Sequence, residues 1–186
     1  MKKLFGNEMD RMPNIAFKMM ALMFKIRDAF VSVDNLLEKF DIQKGQTVVD
    51  YGCGPGSYLS KASELVGPEG TVFAVDVHEL AVKAVEKRIQ KEGLANVTGL
   101  LAEKGNCPLE NGTADVIYAL DMFHMVGDAN AFLKNLRRIC KPEAVLYIDD
   151  GHQPRQEAKE KIVASGAWEI VEEKKRYLKC RTSGGR

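Results

Sequence analysis

The segment Asp50-Tyr51-Gly52-Cys53-Gly54-Pro55-Gly56 constrains the fold more than any other part of the chain. It follows Thr47-Val48-Val49, a β-branched run suited to a strand, and precedes Ser57 to Leu65, which reads as a helix stopped by Gly67-Pro68. Three glycines at alternate positions let the backbone turn sharply out of the strand. They also leave main chain bare of Cβ atoms, so that a ligand can lie against it. Taken alone, the same segment is compatible with an ordinary glycine-rich connection.

The rest of the chain repeats the strand-then-helix unit. Thr71 to Val75 reads as a strand ending at Asp76, and Glu79 to Gln90 as an amphipathic helix with Leu80, Val82, Val85 and Ile89 inward. Val97 to Leu101 and Ala114 to Leu120 read as strands, Ala129 to Ile139 as a helix, Ala144 to Ile148 as a fifth strand and Gln156 to Ala164 as a helix. Trp168 to Val171 and Tyr177 to Cys180 close the chain as two strands joined by the charged run Glu172 to Arg176. Short, apolar, β-branched strands alternating with helices predict an α/β fold: a doubly wound, mostly parallel, seven-stranded sheet with helices on both faces. Such sheets bind ligands beyond the carboxyl ends of their strands, where the strand order reverses. The residues just after Val49, Val75, Leu101, Leu120 and Ile148 are therefore the places to search.

Spacing at the first strand end narrows the ligand. A dinucleotide fingerprint counted from Gly52 needs its third glycine at position 57, which is serine, and no phosphate-loop G-K-[ST] follows. A pyrophosphate cradle is disfavoured on both counts. Asp76, at the second strand end, can accept hydrogen bonds from both hydroxyls of a ribose. It would also be favoured there without a ligand, near the start of the next helix.

Ile15 to Val31 is very apolar but carries Lys18, Lys25, Arg27 and Asp28, whereas a spanning helix needs about 20 residues nearly free of charge. The segment instead predicts a helix covered on more than one side, with a second helix over Val33 to Phe40. This gives an N-terminal helical extension or lid over residues 1–40, a main domain over 41–182 and a short tail over 183–186. With 186 residues and 45% hydrophobic content the chain is expected to bury a full core without disulfides or metal. Its four cysteines, Cys53, Cys107, Cys140 and Cys180, have no metal or redox spacing, so free thiols in a cytoplasmic setting and no metal are expected. The net charge of +1 argues against nucleic acid as a partner.

Val48-Val49-Asp50-Tyr51-Gly52-Cys53-Gly54-Pro55-Gly56 followed by Val75-Asp76 resembles the first two motifs of the class I S-adenosylmethionine-dependent methyltransferases. The resemblance runs over about residues 42 to 180. Glu103, five residues before Pro108-Leu109, stands where that family usually has aspartate, Ala114 to Leu120 is similar to its fourth strand, and Leu136 to Pro142 to the helix end before its fifth. The resemblance implies S-adenosylmethionine as cofactor and S-adenosylhomocysteine as product, on a Rossmann-like methyltransferase fold. It places Asp50 and the backbone of Gly52, Cys53, Gly54, Pro55 and Gly56 around the methionine end. It gives Asp76 the ribose, Val77 the adenine face, and Glu103, or backbone beside it, the adenine amino group. Glu103 is one methylene longer than the usual residue, and Glu143-Ala144 replaces a common Gly-Gly.

Methyl transfer from a sulfonium needs in-line alignment and exclusion of water more than bond chemistry from the protein. A base is required only where the acceptor loses a proton. Acceptor-side candidates follow the fourth and fifth strands: Asp121, Phe123 and His124, then Asp149, Asp150 and His152. Asp121 and His124 are the catalytic candidates, with His124 the better base because its ordinary pKa is near 6.5. The expected acceptor is a small molecule. No stable membrane insertion is expected, and a homodimer is compatible with the apolar N-terminal helix. The alternative is a cofactor-binding module that regulates or scaffolds a partner without turnover.

Overall fold

The computed structural model describes residues 12–30, 34–103 and 106–184. The first eleven residues of the expected extension, the expected start of the second helix at Val33 and the last two residues of the tail lie outside the described residues. The elements run α1 (Asn14–Phe30), α2 (Asp34–Leu37), β1 (Thr47–Tyr51), α3 (Leu59–Val66), β2 (Thr71–Asp76), α4 (Glu79–Glu92), β3 (Val97–Leu101), β4 (Ala114–Ala119), α5 (Ala129–Ile139), β5 (Cys140–Ile148), α6 (Arg155–Ala164), β6 (Trp168–Lys174) and β7 (Tyr177–Thr182). One sheet holds all seven strands in the order β3-β2-β1-β4-β5-β7-β6. Strands β1 to β5 are parallel, and β7 runs antiparallel between β5 and β6. The chain winds outward from β1 to β3 and then returns to place β4 on the other side of β1, so strand order reverses between them and opens a crevice at their carboxyl ends.

Two apolar layers sandwich the sheet. One, against α5 and α6, gathers Val49, Ile117, Phe123, Leu133, Leu136, Ile139, Leu146 and Ile162. The other, against α2, α3 and α4, gathers Leu37, Val48, Leu59, Val72, Val85 and Tyr118. Alternate residues of one strand face opposite layers, so Val48 and Val49 are both fully buried on opposite sides. Trp168 is buried with its indole N–H donating to the Leu133 carbonyl at 2.9 Å. Beyond α2, Phe40 stacks on Tyr147 with ring centroids 4.0 Å apart, and the Asp41 N–H donates to the Tyr147 hydroxyl at 2.8 Å, which ties the N-terminal segment to β5.

Several details differ from the sequence expectation, the second helix ending at Leu37 rather than Phe40. Helix α3 starts at Leu59 rather than Ser57, because the glycine segment continues as turns through Tyr58. On α4 the fully covered side chains are Ala81 and Val85, with Leu80, Val82 and Ile89 half-buried. That helix packs over β2 and β3, and β3 is an edge strand, so its outer side is open. Strand β5 begins at Cys140, four residues early, and a register irregularity opposite Ala114 to Val116 absorbs Lys141 to Ala144. The charged run 172–176 contributes its first three residues to β6, the other edge strand, where alternate side chains can stay in solvent.

Candidate active site

The crevice holds a cavity of about 310 Å³. Its floor is the ends of β1, β2 and β4: Tyr51, Gly52, Gly54, Asp76, Val77, His78, Leu120 and Asp121. Its far wall is Met122, Met125, Val126 and one face of the start of α5, with Asp128, Ala131, Phe132 and Asn135. Its roof is α1, through Phe17, Met20 and Phe24. Phe17 is buried and stacks on His78 with centroids 4.4 Å apart, which docks the helix on the residue after Val77.

The glycines of the first strand end divide their work. Gly54 has φ +51°, and a Cβ built there would meet only Met20 Cε at 3.9 Å, so its bare backbone opens into the cavity. A Cβ at Gly52 would lie 2.6 Å from Met122 Cγ, and one at Gly56 would lie 2.7 Å from Leu59 Cδ1. These two glycines admit protein side chains, and one of them thereby brings Met122 to the cavity.

Asp76 holds the turn in place. Its Oδ2 accepts the Gly54 N–H at 2.9 Å and its Oδ1 accepts the His78 N–H at 2.8 Å. Each carboxylate oxygen keeps further acceptor capacity, and the residue lines the cavity. Burial raises its pKa, opposed by these backbone donors. Asp50 is wholly enclosed beneath the turn, and burial raises its pKa well above the carboxylate range. Its carboxyl group and the neighbouring Tyr118 hydroxyl face each other there as polar neighbours, without a well-aligned hydrogen bond. The polar side chains of the wall are Asn106, Asp128 and Asn135, and no Lys or Arg lines the cavity among the described residues. An acidic, largely apolar cavity suits a cationic ligand and disfavours an anionic one.

The expected site residues separate by place. Gly52, Gly54, Asp76, Val77 and Asp121 line the cavity, whereas Asp50, Cys53, Pro55 and Gly56 do not. Glu103 is exposed and off the cavity wall; its carbonyl accepts the Asn106 N–H at 2.9 Å, and Asn106 lines the wall. Asp121 has φ +62° at the β4 end. Its backbone N–H donates to both Asp149 oxygens at 3.0 Å, and its Oδ2 accepts from Arg27 at 2.8 Å and from the Tyr58 hydroxyl at 3.3 Å. His124 is half-buried and does not line the cavity. Its ring meets His152 edge-on at 4.8 Å, and burial lowers its pKa. Phe123 is core.

Sequence reasoning missed Arg27, Asn106, Asp128, Phe132 and Asn135. For α5 a signal existed: Asp128, Ala131, Phe132 and Asn135 fall on one helical face at the end of β4. For Arg27 the partner lies 94 residues away, and no local pattern announces it.

This fold is that of the class I S-adenosylmethionine-dependent methyltransferases. The chain belongs to that family: a family model described as a methyltransferase domain matches residues 42–185. It is 26% identical over 121 residues to a demethylmenaquinone methyltransferase of Geobacillus kaustophilus, covering 65% of this chain and 52% of that protein. It is 32% identical over 108 residues to the nocamycin O-methyltransferase of Saccharothrix syringae, covering 58% and 39%. The chain thus spans about half the length or less of these curated relatives. Among solved structures, a SAM dependent methyltransferase from Aquifex aeolicus superposes with a TM-score of 0.76 at 28% identity, covering 91% of this chain and 97% of that one.

Proposed function

We propose that the protein moves a methyl group from S-adenosylmethionine to a small, uncharged, largely apolar acceptor. The observation that carries the reading is the open face of Gly54 beside the Asp76 carboxylate, at the switch point of the sheet and inside the cavity. Asp76 would take the ribose hydroxyls, Val77 the adenine face, and the backbone of Gly52 and Gly54, with Asp50 behind it, the methionine end. When bound, the cofactor supplies an electrophilic methyl on a positive sulfur. The chain's own residues hold it, align the acceptor and keep water out.

The acceptor side follows from the lining. Phe17, Met20, Phe24, Met122 and Met125 present apolar surface, and the relatives named above are named for small-molecule acceptors. A cavity of about 310 Å³ is near the lower limit for small-molecule sites. Two ligands together would need α1 to lift, so α1 serves as a lid in this reading. Asp121 faces the acceptor as a carboxylate neutralised by Arg27. His124 stands off the cavity, against His152 and Gly151. Nucleic acid has no part in the reading, in keeping with the net charge of +1. The four free, buried cysteines suit a reducing compartment such as the cytoplasm.

Calorimetric titration with S-adenosylhomocysteine tests the cofactor assignment. Saturable binding that Gly54→Leu abolishes is the expected result. No heat with the parent chain, or an unchanged titration in the variant, would overturn it.

A further inference from the structure

Helix α1 is apolar on two opposite sides. Phe17, Met20 and Phe24 face the cavity, whereas Ile15, Met19, Leu22, Met23 and Ile26 form a continuous stripe on the outer side. Each of those five keeps more than half of its surface in solvent, from 53% at Ile26 to 76% at Ile15. A helix that served only as a lid would carry polar residues there. Contiguous apolar surface of this kind marks a site of contact with something else.

Charge selects the occupant. Lys18 and Lys25 are exposed and lie one above the other, two turns apart, along one flank of the stripe, and the one acid in the helix sequence, Asp28, comes after the stripe's last residue, Ile26. Ammonium groups on long apolar stems beside a row of Leu, Ile and Met suit the headgroup level of an anionic bilayer. A second copy laid antiparallel on the same stripe would instead bring four ammonium groups to one edge. No helix among the described residues is long and apolar enough to cross a membrane, so contact would be parallel to the surface.

We propose that the outer face of α1 docks the protein on an anionic lipid surface, with the stripe in the acyl boundary and Lys18 and Lys25 at the phosphates. The inner face of the same helix roofs the cavity, so docking places the cavity one helix away from the lipid. The docking itself does not depend on the methyl-transfer reading, because no stripe residue lines the cavity.

Co-sedimentation of the full chain with vesicles tests this. The probes are phosphatidylcholine vesicles with and without a one-quarter share of phosphatidylglycerol. Expected is binding to the anionic vesicles that falls at least about fivefold with Lys18→Glu/Lys25→Glu, and also at high salt. Leu22→Asp/Ile26→Asp should remove it, while leaving the thermal melt and the S-adenosylhomocysteine titration of both variants as in the parent. Failure of that titration in all forms would count against the cofactor reading and leave the vesicle result standing. The proposal is overturned by absent sedimentation of the parent, or by equal sedimentation of parent and variants. Light scattering showing a lipid-free dimer that Leu22→Asp/Ile26→Asp dissociates would also overturn it, in favour of a second copy.

Discussion

Arg27 of α1 and Asp121 at the end of β4 form an ion pair, Nη1 to Oδ2 at 2.8 Å, that fastens the roof of the cavity to its floor. The guanidinium also lies over the Phe24 ring at 4.3 Å, and the Tyr58 hydroxyl reaches the same carboxylate oxygen. The two side chains are 28% and 34% exposed, so the pair adds only about 0–1 kcal/mol to global stability. Its leverage lies in where it acts.

Arg27→Ala is accordingly expected to leave the melting temperature nearly unchanged while speeding release of S-adenosylhomocysteine about fivefold in stopped-flow. Asp121→Asn, which tolerates the left-handed backbone, should do the same. Equal release rates in parent and both variants would show that α1 does not gate the cavity.

Asp76 does two jobs, and one substitution separates them from ordinary surface loss. Asp76→Asn removes a charged acceptor from Gly54, from His78 and from the expected ribose. Losing such a bond costs about 1.5–3 kcal/mol, so titration should show ligand affinity about 10- to 100-fold weaker, accompanied by a lower melting temperature. Affinity unchanged within twofold would remove Asp76 from the site.

Gly151 and Gly112 provide a matched pair. Both have positive φ, +58° and +68°, but a Cβ at Gly151 would lie 2.1 Å from His124 Nδ1, whereas at Gly112 nothing lies within 4 Å. Gly112→Ala is expected to cost about 1–2 kcal/mol from backbone strain alone, and Gly151→Ala about 1–3 kcal/mol more from overpacking. His124→Ala should recover that excess in a double-mutant cycle followed by denaturant unfolding. Equal costs at the two glycines would mean that His124 is not held against Gly151.

Asp149 is titrated by burial. Its pKa is pushed up to about 7, chiefly by desolvation, against the Asp121 N–H that its carboxylate accepts. An unfolded aspartate titrates near 3.9. Between those values the folded state holds a proton that the unfolded state has lost, so this group weakens the fold as pH rises from about 4 and does so fully above about 7. The melting temperature of Asp149→Asn minus that of the parent is therefore expected to increase from pH 5 to pH 8. A flat difference would mean that Asp149 ionises as an ordinary surface carboxylate.

Much of this architecture was legible in the residues. The β-branched runs and the glycine segment placed β1, β2, β3, β4 and α5 within a residue or two, because these elements are set by periodicity and by local stops. The cavity floor, Gly54, Asp76 and Val77, was legible for the same reason: each stands at the end of a strand. Glu103 stands off the wall, and Asn106, which donates to the Glu103 carbonyl, lies on it. His124 looked like a cavity residue from its distance past β4. The left-handed backbone at Asp121 and the short turn through Phe123 carry it to the far side, where Gly151 leaves room for its ring.

The sequence by itself determined the parallel α/β sheet, the switch point and the acidic, side-chain-free seat there, since strand period, glycine spacing and strand ends are properties of neighbours along the chain. Only the tertiary structure decided which distant segments close that seat. The roof from α1, the Arg27–Asp121 tie across 94 positions, and the wall from α5 arise from three-dimensional packing. The same packing left the outer stripe of α1 in solvent. An apolar-all-round helix is consistent with burial on both sides, and its sequence carries no record of which side the domain will cover.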